Sequence, residues 1–337
     1  MFAGVAIAMA AAASGLAADA QPLRFGILPL GGPLESRQEW EPLLAEMTRL
    51  VGLPVQAVSV TTYEALALAI RRSEIDIAFV SSKMAMDAVC QRTMKVIAQE
   101  LRQQHQPAYR AVLISRKKNP PADLDTMLRS PGRWRLARGE PLSMSGYLVP
   151  QLQLFLPRHV SSDTFFRSES IDTHQNNALA VANGEADVGT TSTADLARFK
   201  ARFPLEYERL NVLWQSEPIP PAQIVVRRDM PVALQEQLRN MLTSYGRQDH
   251  PRGESERAVL AWLHDFSGFA AADDSALLPT VRISYQLARL SAVSGHWVSE
   301  SAKRTRLKRI DTDYAHTFAL LDPRATPLPV LVGSHPD

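Results

Sequence analysis

The feature that most constrains this chain is an alternation between short, almost continuously apolar runs and amphipathic stretches, from Leu23 to Arg227. The first run, Leu23-Arg24-Phe25-Gly26-Ile27-Leu28-Pro29, reads as a buried strand ending in a Gly/Pro turn. Trp40, Leu43, Leu44, Met47 and Leu50 then recur at helical spacing, and Gly52 closes that helix. Residues 55–60 read as a second strand, 63–70 as a helix, and 75–80 as a third strand interrupted only by Asp76. Apolar strands joined by amphipathic helices require a sheet covered on both faces, which makes this an α/β chain with parallel strands.

The pattern continues through expected strands at 111–115, 134–137, 186–189, 212–215 and 223–227, with helices at 124–128, 146–156, 178–183 and 193–203. From Val232 onward it turns helical, with helices expected at 234–245, 254–263 and 285–293. The 337 residues are enough for two lobes, each with its own core. The reading is a discontinuous first lobe over 21–113 and 224–293, and a second lobe over 114–223. A basic amphipathic C-terminal helix follows at 294–321, and residues 322–337, with four prolines, read as a disordered tail. The strands near 111–115 and 223–227 would be the crossings of a two-strand hinge, giving a cleft that closes between lobes. No internal repeat is legible.

Residues 1–16 are small and apolar, and Ala18-Asp19-Ala20 supplies a cleavage pattern, so residues 1–20 read as a secretory signal peptide and the protein as periplasmic. A positive segment before the apolar run is missing, which leaves two readings, a start codon further upstream or a truncated sequence. A net charge of +2 argues against nucleic-acid binding. Cys90 is the only cysteine, so no internal disulfide can form and the fold rests on its core.

Three hydroxyl-rich turns carry the chemistry. Ser143-Met144-Ser145-Gly146 stands before a helix, Ser81-Ser82 follows the strand ending at Val80, and Thr190-Thr191-Ser192-Thr193 follows the strand ending at Gly189. Each puts side-chain hydroxyls beside the unpaired N–H groups and positive dipole end of a helix, which suits an oxyanion. Each could equally be a plain helix cap, but their coincidence at one sheet edge, where open α/β sheets take ligands, favours the anion site. The histidines show no metal-ligand spacing, and no nucleophile motif, Walker loop or dinucleotide fingerprint is present. The chain is therefore read as a binding protein, with neither enzyme activity nor a cofactor.

At these motifs the chain resembles the periplasmic phosphonate-binding proteins of ABC transporters. The resemblance is carried by Ser145-Gly146-Tyr147-Leu148-Val149-Pro150, by His174-Gln175-Asn176-Asn177-Ala178-Leu179-Ala180-Val181-Ala182-Asn183 with Ala186-Asp187-Val188, and by Trp214, Ser216 and Ile219-Pro220. It implies a type II periplasmic-binding fold, with phosphonate oxygens held by a Ser-Thr-Ser turn, a His and a Tyr. Ser143, Ser145, His174 and Tyr63 stand at the matching positions, and Met144 replaces the threonine. Ser81, Ser82, Thr191 and Tyr109 complete the candidate set. Members that prefer aminoalkyl phosphonates pair the ligand ammonium with two carboxylates; Ala194 and Ala222 stand there, so a cationic tail is expected to be disfavoured. The implied partners are a small oxyanion and an ABC permease. The alternative is an arsenite or arsenate sensor acting through a membrane histidine kinase, with Cys90 as an arsenic ligand rather than a buried structural thiol. The basic stretch Lys303–Arg309 is read as a solvated helix face, with a contact to a partner or to a second copy in a homodimer as the alternative.

Overall fold

A computed structural model describes residues 21–102, 109–263, 266–322 and 324. The first lobe opens as a β/α series: β1 (Leu23–Ile27), α1 (Pro33–Val51), β2 (Val55–Ser59), α2 (Tyr63–Arg71), β3 (Ile77–Val80), α3 (Ser82–Cys90) and β4 (Met94–Arg102). α1 begins on Pro33, whose fixed φ suits a first helical position, and ends at Gly52 in the left-handed region at φ 73°. Its Trp40, Leu43, Leu44 and Met47 face the sheet and are buried.

The second lobe contains β5 (Arg110–Arg116), α4 (Leu124–Leu128), β6 (Arg135–Arg138), a long helix with π-helical turns at Met144–Leu148 and Gln151–Phe155, α5 (Ser162–Phe165), β7 (Ser168–Ile171), α6 (His174–Asn183), β8 (Val188–Ser192), α7 (Thr193–Arg202), α8 (Pro204–Tyr207) and β9 (Leu210–Pro218). The chain then returns through β10 (Gln223–Arg227), α9 (Val232–Ser244), α10 (Pro251–Trp262), β11 (Phe266–Ala271), α11 (Leu278–Ser294) and α12 (Glu300–Leu321).

The strands form two sheets, in the orders β11-β4-β10-β3-β1-β2 and β7-β6-β8-β5-β9. Their neighbours are parallel where a helix makes the crossover, β1 with β2 and β3, and β6 with β7 and β8. They are antiparallel where the chain has come back from the other lobe, β10 on β3 and β5 on β8. This is the type II periplasmic-binding architecture: two mixed sheets with helices on both faces of each.

The crossings differ from the sequence expectation. The segment 111–115 is not a crossing strand: it lies in the middle of the second sheet, paired with both β8 and β9. The change of sheet falls between Arg102 and Arg110 going out, and between Pro218 and Gln223 coming back. Strands β4, β7 and β11 have no counterpart in the sequence reading. β4 carries Lys95, Glu100 and Arg102 among its apolar residues, and β7 is a polar edge strand, Ser-Glu-Ser-Ile, so neither shows an apolar run.

The first lobe has one continuous core centred on Trp40, whose ring lies 4.8 Å from Phe79, 5.1 Å from Phe25 and 6.4 Å from Phe266. The second lobe has two cores, one on each face of its sheet. A fourth cluster joins the lobes, where Ile283 and Leu287 of α11 pack on Met144, Leu148 and Val149. α12 buries Ile310, Tyr314, Phe318 and Leu321, and the Tyr314 ring stacks on Tyr285 at 4.2 Å. The signal-peptide reading of residues 1–20 and the tail reading from Ala325 fall outside the described residues.

Candidate functional site

The serine turn is built by a close backbone crossing. Ser143 caps the helix that follows it, its Oγ accepting from Gly146 N–H at 3.0 Å. Gly146 lies against Gly139 so tightly that a Cβ on Gly146 would stand 2.7 Å from the Gly139 Cα, which only glycine permits. Thr190 on β8 pins the crossing by donating its hydroxyl to the Gly146 carbonyl at 2.7 Å. The helix then starts as a π-turn, with Leu148 N–H on the Ser143 carbonyl at 3.1 Å and Val149 N–H on Met144. π-turns are rare and cluster at functional sites.

His174 meets this turn from α6. It is the first helical residue after the cap Thr173, and its ring is buried at 4% exposure. Its Nε2 stands 3.3 Å from Ser143 Oγ and 3.3 Å from Ser145 Oγ. The other ring nitrogen, Nδ1, is buried with no hydrogen-bond partner among the described residues. Asp195, in the first turn of α7, brings its carboxylate to 3.9 Å from Nε2 and accepts from Ser192 Oγ at 2.5 Å. Three helix N-termini of the second lobe, capped by Ser143, Thr173 and Ser192, thus carry the polar groups that converge here.

The first lobe closes the site with Tyr63, the buried first residue of α2. Burial pushes its phenol well above the usual range, the Asp195 charge pushes the same way, and a hydrogen bond with Ser143 opposes them. Glu140 of the second lobe reaches the same helix end, accepting the Tyr63 N–H at 2.9 Å. That contact places a carboxylate on a positive helix terminus across the cleft. Ser81 makes a second crossing, capping α3 and donating to the Leu142 carbonyl at 3.0 Å. At the outgoing crossing, Tyr109 lies under the Arg102 guanidinium at 5.4 Å, and its phenol is pushed up by burial and by Glu100. Arg102 and Glu100 form a buried pair at 3.3 Å, and Glu100 also accepts the Ala222 N–H at 3.2 Å.

Ser143, Ser145, His174 and Tyr63 are therefore brought together, with Ser81 at the rim and Tyr109 electrostatically coupled to Tyr63 and Asp195. Ser82 and Thr191 have buried hydroxyls with no partner among the described residues. Met144 offers only its backbone: its side chain is buried in the apolar cluster under α11, away from the polar groups. Cys90 is not part of the arrangement. It ends α3, whose first turn faces the cleft, and its thiol bonds Thr317 of α12, with burial pushing it up. The thiol basis for arsenic ligation at this site is thereby lost.

Sequence reasoning missed Asp195, Glu100, Arg102 and Glu140. The first two are carboxylates next to positions 194 and 222, where the sequence has alanine, and Glu100 is itself paired with Arg102. Asp195 arrives one residue later on the same helix turn, and Glu100 arrives from β4 against the Ala222 backbone.

The profile of one family, the ABC transporter phosphonate periplasmic substrate-binding proteins, matches residues 25–277. The chain belongs to this family. Its members are periplasmic substrate-binding proteins rather than enzymes. The phosphonates-binding periplasmic protein of Escherichia coli K12 is 31% identical over 257 residues, which is 76% of this chain and 74% of that protein. A binding-protein component of an ABC phosphonate transporter from Pseudomonas aeruginosa superposes with a TM-score of 0.82 at 29% identity, covering 89% of this chain and 97% of that one. PhnD1 of Prochlorococcus marinus, solved in complex with methylphosphonate, shares the fold with a TM-score of 0.68 at 17% identity, over 79% of this chain and 97% of its own. Among the described residues no helix is long and apolar enough to cross a membrane.

Proposed function

We propose that the cleft between Ser143–Ser145, His174 and Tyr63 captures a small phosphonate-class oxyanion and that the closed protein hands it to the permease of an ABC importer. One observation carries the site: the His174 Nε2 at 3.3 Å from two serine hydroxyls at the start of a helix. A ligand oxygen between these groups receives hydroxyl and ring N–H donors at a positive helix end, and charge-assisted bonds of this kind favour an ionised oxyanion over a neutral solute. The buried Ser82 and Thr191 hydroxyls are spare donors of the same type. Tyr63 and Tyr109, like any phenol, are protonated donors at physiological pH, and burial moves both further in that direction. The methylphosphonate bound by the Prochlorococcus marinus relative has the size and charge this donor set fits.

Asp195 bears on the ligand's tail. Its carboxylate lies beside the ring nitrogen assigned to the anion, so an ammonium on the ligand would find a counter-charge there that Ala194 cannot give. In this reading residues 1–20 direct secretion through the inner membrane. The site is tested by Ser143→Ala with Ser145→Ala, which should weaken methylphosphonate binding by about 1–3 kcal/mol in isothermal titration. Wild-type affinity in the double variant would place the site elsewhere.

A further inference from the structure

Four charged side chains bridge the lobes beside this cleft. Glu35 and Glu39 lie one turn apart on α1, and Arg198 and Arg202 lie one turn apart on α7, so each pair shares a helix face. Arg198 contacts Glu35 at 3.0 Å and also Glu39; Arg202 contacts Glu39 at 2.6 Å and also Glu35. Gln175, the residue after His174, adds a hydrogen bond to Glu35 at 3.4 Å. Glu39 is only 2% exposed. Burial pushes its carboxyl up, and the Arg198 charge opposes the shift. α1 packs on the first sheet, whereas α6 and α7 pack on the second and begin with the His174 and Ser192–Asp195 turns of the site.

We infer that Glu35, Glu39, Arg198 and Arg202 form an electrostatic latch that holds α6 and α7 against the first lobe, positioning His174 and Asp195 and setting ligand affinity from outside the ligand's contact shell. Closing the lobes takes Glu39 out of water, and the two arginines that arrive with it offset part of that cost. Without them a closed lobe pair loses the charges that face Glu35 and Glu39, the equilibrium moves toward open, and apparent affinity falls with the closed fraction. The affinity effect rests on the binding site proposed above; the effect on lobe closure does not.

The test compares R198Q/R202Q with the charge-keeping R198K/R202K, using small-angle X-ray scattering of ligand-free protein and titration with methylphosphonate. The glutamine pair should enlarge the radius of gyration and raise Kd about tenfold, while the lysine pair stays near wild type in both. An unchanged radius of gyration in the glutamine pair overturns the latch. So does a lysine pair that behaves like the glutamine pair, because packing rather than charge would then be responsible. Should the glutamine pair not fold, Glu35→Gln breaks the ladder from the other lobe and must shift the scattering in the same direction. A wild type that does not bind methylphosphonate counts against the ligand reading and leaves the scattering comparison to decide the latch.

Discussion

In the first lobe Arg24 donates its backbone N–H and Nε to one Asp76 oxygen and its Nη2 to the other, with a further bond from Nη2 to the Ser73 carbonyl. In the second lobe Arg135 makes the same four bonds, to Asp187 and the Gly184 carbonyl. An offset of 111 residues carries Arg24 to Arg135, Ser73 to Gly184 and Asp76 to Asp187. It also carries the strand pairing Phe25 with Ile77 to Leu136 with Val188. The helix caps Gly32, Thr62 and Ser81 go to Ser143, Thr173 and Ser192. Each lobe thus repeats one unit, and the candidate ligand groups stand where the copies diverge. The same position is Tyr63 in one copy and His174 in the other; Gly32 caps an ordinary helix without a side chain, whereas Ser143 caps a π-turn with one. Such a scaffold supplies helix N-termini in duplicate, and the residues placed on them decide which lobe offers the donors of the proposed anion site.

The clasps are alike in geometry but not in setting, and this allows the comparison to be broken. Asp76 is the more enclosed, its side chain 11% exposed against 24% for Asp187, and it alone gains a bond from a returning strand, Arg227 at 3.2 Å. Asp76→Ala should therefore cost about 3 kcal/mol in urea unfolding, and Asp187→Ala, with more solvent to compensate, about 1–2 kcal/mol. Equal losses would mean the extra strand contact is idle. For both carboxyls burial pushes the pKa up, but arginine hydrogen bonds and charges hold it below the usual carboxylate range. A lowered folded pKa gives stability that is complete above the unfolded value, about 3.9, and is lost as pH falls through the folded one. Each alanine variant should accordingly flatten the acid limb of the stability curve.

A smaller effect distinguishes the clasp loops. Ser73 holds φ 57°, a left-handed conformation that its counterpart Gly184 adopts at φ 80° with no Cβ. Ser73→Gly should raise stability by up to about 1 kcal/mol, seen as a higher urea midpoint at unchanged slope; a decrease would show that backbone entropy outweighs the strain. The smallest effect tests the caps. A Cβ on Gly32 meets nothing within 4 Å, and its φ of −85° suits a capping serine. Gly32→Ser should stabilise the first lobe by a few tenths of a kcal/mol without altering methylphosphonate affinity. A change in affinity would mean that this helix end also takes part in the site.

Much of this was legible beforehand because it is local. The caps at Ser81, Ser143 and Ser192 follow from hydroxyls placed between an apolar strand and a helix, and the parallel core follows from runs such as residues 75–80. What was hidden depends on how distant segments meet. Asp195 is hidden because its neighbour Ala194 holds the position the family pattern marks, and only the folded turn brings the next residue's carboxylate to 3.9 Å from His174. Glu100 and Arg102 sit on a strand whose mixed polarity disguised it. The Glu35–Arg202 ladder joins two helices that approach only once both lobes are built. The repeat is not legible in the sequence because it is preserved in a clasp and in capping positions, and little elsewhere.

Met144, the residue between the two serines, has its side chain under Ile283 and Leu287 of α11, a helix that also packs against α3 of the first lobe. The turn proposed to hold the anion is therefore itself seated on an apolar bearing whose helix also packs on the opposite lobe. Any change in the angle between the lobes must shift this apolar contact, so a volume change at Ile283 or Leu287 would reach the serine turn without touching a polar group of the cleft.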